Sequence, residues 1–137
     1  MISNLASTRL GMLTPSSNTA LEPLTFSMLA NQSDISAQFS SFRVLKISLE
    51  ADRLDHFSNV PMLEAADLLA DAKVQSICWH GTSSGWLGFD KDSALIAEIE
   101  ARTGINACSS ILAMNESLAK FNAKRICSIT PYLIETQ

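Results

Sequence analysis

The chain has 137 residues, the size of one domain and enough to bury a substantial core. Its hydrophobic content of 47% and charged content of 18% exclude a disordered chain, and a net charge of −4 gives no electrostatic footprint for nucleic acid. No apolar run approaches membrane-spanning length, and the opening Met1-Ile2-Ser3-Asn4 lacks the regions of a signal peptide, so a cytoplasmic protein without membrane contact is expected.

Arg9-Leu10-Gly11-Met12-Leu13 reads as the first strand, ended by Thr14-Pro15-Ser16-Ser17-Asn18. Proline cannot continue a central strand, and serine and asparagine favour turns and helix N-caps. Thr19 to Ala30 follows as a helix with Leu21, Leu24, Met28 and Leu29 on its apolar period and Pro23 in the tolerant first turn. Asn18 thus stands at both a helix start and a strand's carboxyl end. Ile35 to Val44 alternates in part and reads as a second strand. Lys46 to Phe57 fits either an anchored loop or a short helix. Ser58-Asn59-Val60-Pro61 marks a helix start, and Leu63, Ala66, Leu69 and Ala70 give that helix its stripe as far as Lys73.

Val74 to Trp79 is a short apolar run between helical patterns, the signature of a buried parallel strand. It breaks into Gly81-Thr82-Ser83-Ser84-Gly85, five small residues at the carboxyl end, where open α/β sheets bind ligands. Glycine lets a ligand approach the backbone, and the three hydroxyls offer neutral donors suited to an anionic oxygen. A plain strand-ending turn has the same composition. The adjoining His80 fits a structural role better than acid–base work, because strand alternation sends it away from its neighbour's face. Trp79 by the same reasoning is a core or interface residue.

Trp86-Leu87-Gly88-Phe89 is apolar and suited to covering a pocket. Asp92 to Thr103 is a helix with Leu95, Ile96 and Ile99 inward and Gly104 as its stop. Ile105 to Cys108 is a short strand-like link, and Ser109-Ser110 caps a helix that runs to Phe121-Asn122. Lys124 to Ile129 reads as the last strand, followed by Thr130-Pro131-Tyr132. The expected strand segments are Gly11–Leu13, Ser40–Val44, Ser76–Trp79 and Arg125–Ile129. Alternation of strands and helices predicts an α/β protein, a four-stranded, mainly parallel sheet with helices on both faces. Three strand ends with similar punctuation then converge on one edge. They carry no GxGxxG or P-loop, so no nucleotide fingerprint is present.

The three cysteines form neither a disulfide framework nor a zinc site by spacing. Cys78 and Cys127 fall in expected strands and read as small core hydrophobes; Cys108, just before a helix start, reads as more exposed.

Gly11-Met12-Leu13-Thr14-Pro15-Ser16-Ser17-Asn18-Thr19, Gly81-Thr82-Ser83 and the stretch from Gly104 to Tyr132 together resemble the aspartate/glutamate racemase superfamily, in its maleate isomerase and arylmalonate decarboxylase branch. The resemblance implies a flavodoxin-like lobe over residues 1–137, similar to the N-terminal half of a two-lobe enzyme. It implies a cofactor-independent, metal-free isomerase or decarboxylase acting on a small dicarboxylate such as maleate or a substituted malonate. Asn18, Pro15, Ser16, Gly81, Thr82, Ser83 and Tyr132 would bind the substrate, and this chain would hold no certain catalytic residue. Superfamily racemases and isomerases use two cysteines, one per lobe, and Gly81 stands where the first belongs. The expected partners are a small carboxylate and either a second copy of the chain or a C-terminal lobe. A non-catalytic carboxylate-binding module and a relative acting in ectoine utilisation are the alternatives.

Overall fold

The computed structural model describes residues 7–43, 59–82, 85 and 88–127. In chain order these form β1 (Thr8–Pro15), α1 (Leu21–Leu29), β2 (Ile35–Phe42), α2 (Val60–Asp71), β3 (Ser76–Trp79), α3 (Phe89–Thr103), β4 (Ala107–Ser109) and α4 (Ser110–Lys120). The strands make one sheet in the order β2-β1-β3-β4, and every pairing is parallel. Right-handed crossovers in this order put α1 on one face and α2 and α3 on the other. The flavodoxin-like α/β architecture expected from the alternating pattern is therefore present.

Each element follows from local chemistry. Pro61 sits in the first turn of α2, where its missing amide hydrogen costs nothing. Gly104 ends α3 at φ 69°, a left-handed conformation that glycine adopts without strain, with its amide on the Glu100 carbonyl. Ser109 caps α4 by accepting from the Leu112 amide at 3.1 Å. Gly11 makes room where α2 ends: a Cβ there would stand 3.0 Å from Val74 Cγ2 and 3.3 Å from Leu69 Cδ1.

Leu13, Ile77 and Trp79 of the sheet, Met62, Ala65, Ala66 and Leu69 of α2, and Leu95 and Ile99 of α3 form the main core, closed at the α2–β3 junction by Val74. Phe42 joins it, its ring 5.4 Å from that of Trp79. On the opposite face Phe39 meets Phe26 of α1 at 5.6 Å. At the surface, a forked ion pair between Asp67 and Arg102 ties α2 to α3, with N–O distances of 2.6 to 3.0 Å.

Four sequence expectations need correction. The fourth strand is Ala107–Ser109, the segment that read as a link, and Arg125 to Cys127 form no strand. Three residues are too few to show a period, whereas β4 is fixed by pairing along β3. Cys127 is accordingly exposed rather than in the core. On α1 the apolar stripe is only half inward: Leu21 and Leu29 are half-buried on either side of the buried Thr25, while Leu24 and Met28 are 60% and 81% exposed. The third helix begins at Phe89, three residues before the expected Asp92. Expectations for Lys46 to Phe57, Trp86, Leu87 and the segment from Ser128 to Gln137 lie outside the described residues.

Candidate functional site

All four strands are parallel, so their carboxyl ends share one edge. From β1 the chain crosses to β2 on one side; β3 and β4 lie on the other side. The order reverses between β1 and β3, which is the switch point where open α/β sheets form a ligand crevice. The loops after β1 and β3, the two richest in small polar residues, flank that point. Leu13 and Trp79 are register partners, and the His80 amide continues the ladder onto the Leu13 carbonyl at 3.0 Å. The ladder thus runs to within one residue of Gly81.

The β1 loop is a tight turn. The Pro15 carbonyl accepts from the Asn18 amide at 2.9 Å, and the Ser16 amide donates to the Phe42 carbonyl at 2.9 Å. Asn18 Oδ1 accepts from the amides of Ala20 and Leu21, both at 3.1 Å, and so caps α1 from outside. Its carboxamide oxygen is used structurally, which leaves the NH2 group as the donor it can offer a ligand. Ser16 and Asn18 are exposed, and Pro15 is half-buried.

The β3 loop owes its shape to Trp79. Gly81 is buried against that indole, and a Cβ at position 81 would overlap the Trp79 ring. The close approach explains glycine here and leaves no room for a cysteine unless the indole moves. Thr82 is exposed, and its carbonyl accepts from the Gly85 amide at 3.1 Å, bending the loop back. Ser83 and Tyr132, the other two expected binding residues, lie outside the described residues. The structure thus brings Pro15, Ser16, Asn18, Gly81 and Thr82 to the ends of two adjacent strands.

His80 is engaged within the fold. Its Nε2 lies 3.0 Å from Met12 Sδ and its Nδ1 lies 3.1 Å from Ser110 Oγ. A thioether can only accept, so Nε2 carries the proton and Nδ1 accepts from the Ser110 hydroxyl. Burial pulls the imidazole pKa below its usual value, which keeps the ring neutral near pH 7.

Two features escaped the sequence reading. The Thr14 hydroxyl, next to Pro15 at the crevice, is buried with no hydrogen-bond partner among the described residues. Ser40 Oγ is a second such hydroxyl, and Thr14 differs from it in standing beside Pro15 at the end of β1. The recurrence of Thr-Pro at positions 14–15 and 130–131 was its only sequence signal. The second is Asp92, 3% exposed, whose Oδ2 accepts from the fully buried Ser109 hydroxyl. That contact locks the first turn of α3 to the β4–α4 junction. Among the described residues no group of three or more His, Cys, Asp or Glu side chains is gathered as metal ligands, and no helix is long and apolar enough to cross a membrane.

No family model and no curated protein matches the chain. Among solved structures it is similar to a cysteine-to-serine mutant of the maleate cis-trans isomerase of Nocardia farcinica, carrying a covalently bound succinylcysteine intermediate. The TM-score is 0.74 at 25% identity, covering 94% of this chain and 55% of that one. The chain therefore spans about half the length of that isomerase. The likeness extends over nearly all of the α/β lobe described here.

Proposed function

We propose that this chain supplies the carboxylate-binding half of a cofactor-independent isomerase of the racemase superfamily, acting on a small dicarboxylate of the maleate type. The observation that carries the reading is the placement of the Pro15–Asn18 and Gly81–Thr82 loops side by side at the β1/β3 switch point, on a lobe similar to a maleate isomerase. Asn18 Nδ2, the Thr82 and Thr14 hydroxyls and loop amides are neutral donors. Such donors hold a carboxylate and stabilise the enolate-like charge that develops when its α-carbon reacts. Ser83 and Tyr132 complete the donor set in this proposal.

Gly81 packed against Trp79 bears on the chemistry. Position 81 cannot present a thiol in this conformation, and a second copy would carry the same glycine, so in this proposal the reacting cysteine comes from a second lobe outside residues 1–137. One cysteine opposite a set of neutral donors also suits decarboxylation of a substituted malonate, which is the second reading. The cytoplasm, expected from the sequence, is the proposed setting for either reaction.

Titration calorimetry separates these readings. Maleate is expected to bind wild-type protein, and Asn18→Ala and Thr82→Ala should each weaken binding by about 1.5–3 kcal/mol, the scale of hydrogen bonds to a charged group. Conversion of maleate to fumarate, followed by absorbance, supports the isomerase; carbon dioxide release from phenylmalonate supports the decarboxylase. Undetectable binding of both diacids at millimolar concentration overturns the half-site.

A further inference from the structure

Cys78 of β3 and Cys108 of β4 are register partners on neighbouring parallel strands, and both are free thiols. Register partners project from the same face of a sheet, with backbones about 4.8 Å apart. A disulfide spans Cα separations of about 4.4–6.8 Å, so the pair is within bonding reach without separating the strands. Their surroundings differ. Cys108 is exposed and Cys78 is half-buried. The neighbouring Cys78 thiol lowers the Cys108 pKa to about 7, while Cys108 and burial push Cys78 far up; the Cys78 thiol itself donates toward the Trp79 carbonyl at 3.9 Å. The Ser110 hydroxyl lies near the pair, 3.1 Å from His80 Nδ1 and 3.4 Å from the Trp79 carbonyl. One thiol is thus partly ionised near pH 7 and accessible, and its partner is protonated and adjacent. This is the asymmetry of an attacking and a resolving cysteine.

We propose that Cys78 and Cys108 form a redox-sensitive dithiol, which a hydroperoxide converts to an intramolecular disulfide across β3 and β4. The Cys108 thiolate attacks the peroxide: an S–O bond forms, the O–O bond breaks, and the departing oxide takes a proton and leaves as water or an alcohol. The Cys78 sulfur then attacks the Cys108 sulfenic acid. The S–S bond forms, the S–O bond breaks, and hydroxide leaves as water with the Cys78 proton. The two thiols lose two electrons and two protons in all, and the peroxide is reduced. The product bridges the sheet three residues before Gly81, so oxidation state and the candidate site share β3. The dithiol stands independently of the carboxylate reading.

The test uses the full chain carrying Cys127→Ser, which removes the third, exposed thiol. After hydrogen peroxide and an N-ethylmaleimide quench, the intact mass should fall by two hydrogens with no maleimide added. A non-reducing peptide map should join the Cys78 and Cys108 peptides, and a thiol reductant should reverse the link. In Cys78→Ala, Cys108 should instead stop at a sulfenic acid trapped by dimedone. Its alkylation midpoint should also move above pH 7, because the stabilising thiol is gone. Cys108→Ala alters an exposed position, is checked for folding by circular dichroism, and should show no peroxide-dependent mass change. Full alkylation of both thiols after peroxide, or a link formed only between chains, overturns the proposal.

Discussion

Gly81 shows how one missing Cβ sets the chemistry of a loop. The Trp79 indole occupies the space a side chain would need, so the glycine is fixed by packing rather than by backbone conformation. Gly81→Ala should push the indole off its seat in the core and destabilise the protein by about 1–3 kcal/mol, the usual range for overpacking. Urea denaturation measures this, and an unchanged midpoint would mean the ring has another place to go. The sequence made the loop legible as a binding segment because five small residues after an apolar run have few other readings. It could not reveal the indole, since nothing in linear spacing says that Trp79 folds back over its own strand end. The same limit hid the Cys78–Cys108 contact, which exists only through the register of two strands about 30 positions apart in the chain.

Among the elements, α3, β4 and α4 behave as one unit because Ser109 serves two neighbours at once. Its hydroxyl donates to Asp92 at the start of α3 and accepts from the Leu112 amide at the start of α4. Ser109→Ala removes a helix cap and leaves a buried carboxyl group unpaired. The expected loss is roughly 2–4 kcal/mol, combining about 1 for the cap with 1–3 for the orphaned group. Thermal unfolding followed by circular dichroism checks it, and a loss below about 0.5 kcal/mol would show that water replaces the hydroxyl. β1, β3 and α3 were legible because alternation, an apolar run and a glycine stop act locally. β4 and the inward face of α1 were not. One is too short for a period, and the other buries Thr25, whose hydroxyl is satisfied by the Leu21 carbonyl at 2.8 Å.

For the molecule as a whole, the apolar surface left outside the core bears on its company. Leu24, Phe26 and Met28 are 60%, 52% and 81% exposed on a nine-residue helix, and Phe121 at the end of α4 is 83% exposed. Leu24 and Met28, one helical turn apart, share an exposed face of α1, whereas Phe26 lies on another side of the helix and packs against Phe39. The prediction at this scale is that the exposed Leu24–Met28 face meets a second copy of the chain. Light scattering should give a dimer at micromolar concentration, and Leu24→Ser with Met28→Ser should shift it toward monomer. A wild-type monomer across that range would count against association through α1. The expected interface at Trp86, Leu87 and Phe89 retains Phe89, 45% exposed, as its described member.

The strand order also governs how the chain comes together over time. β1 is synthesised first but is central in the sheet, and one of its two ladders waits for Ser76–Trp79. Until β3 emerges, the Leu10–Leu13 edge has no partner on that side. A nascent chain therefore passes through a stage in which an apolar strand shows an open hydrogen-bonding edge, the feature that seeds mispairing between chains. Closing the β1–β3 ladder is a long-range step, so folding should be slow for a lobe of this size and sensitive to protein concentration.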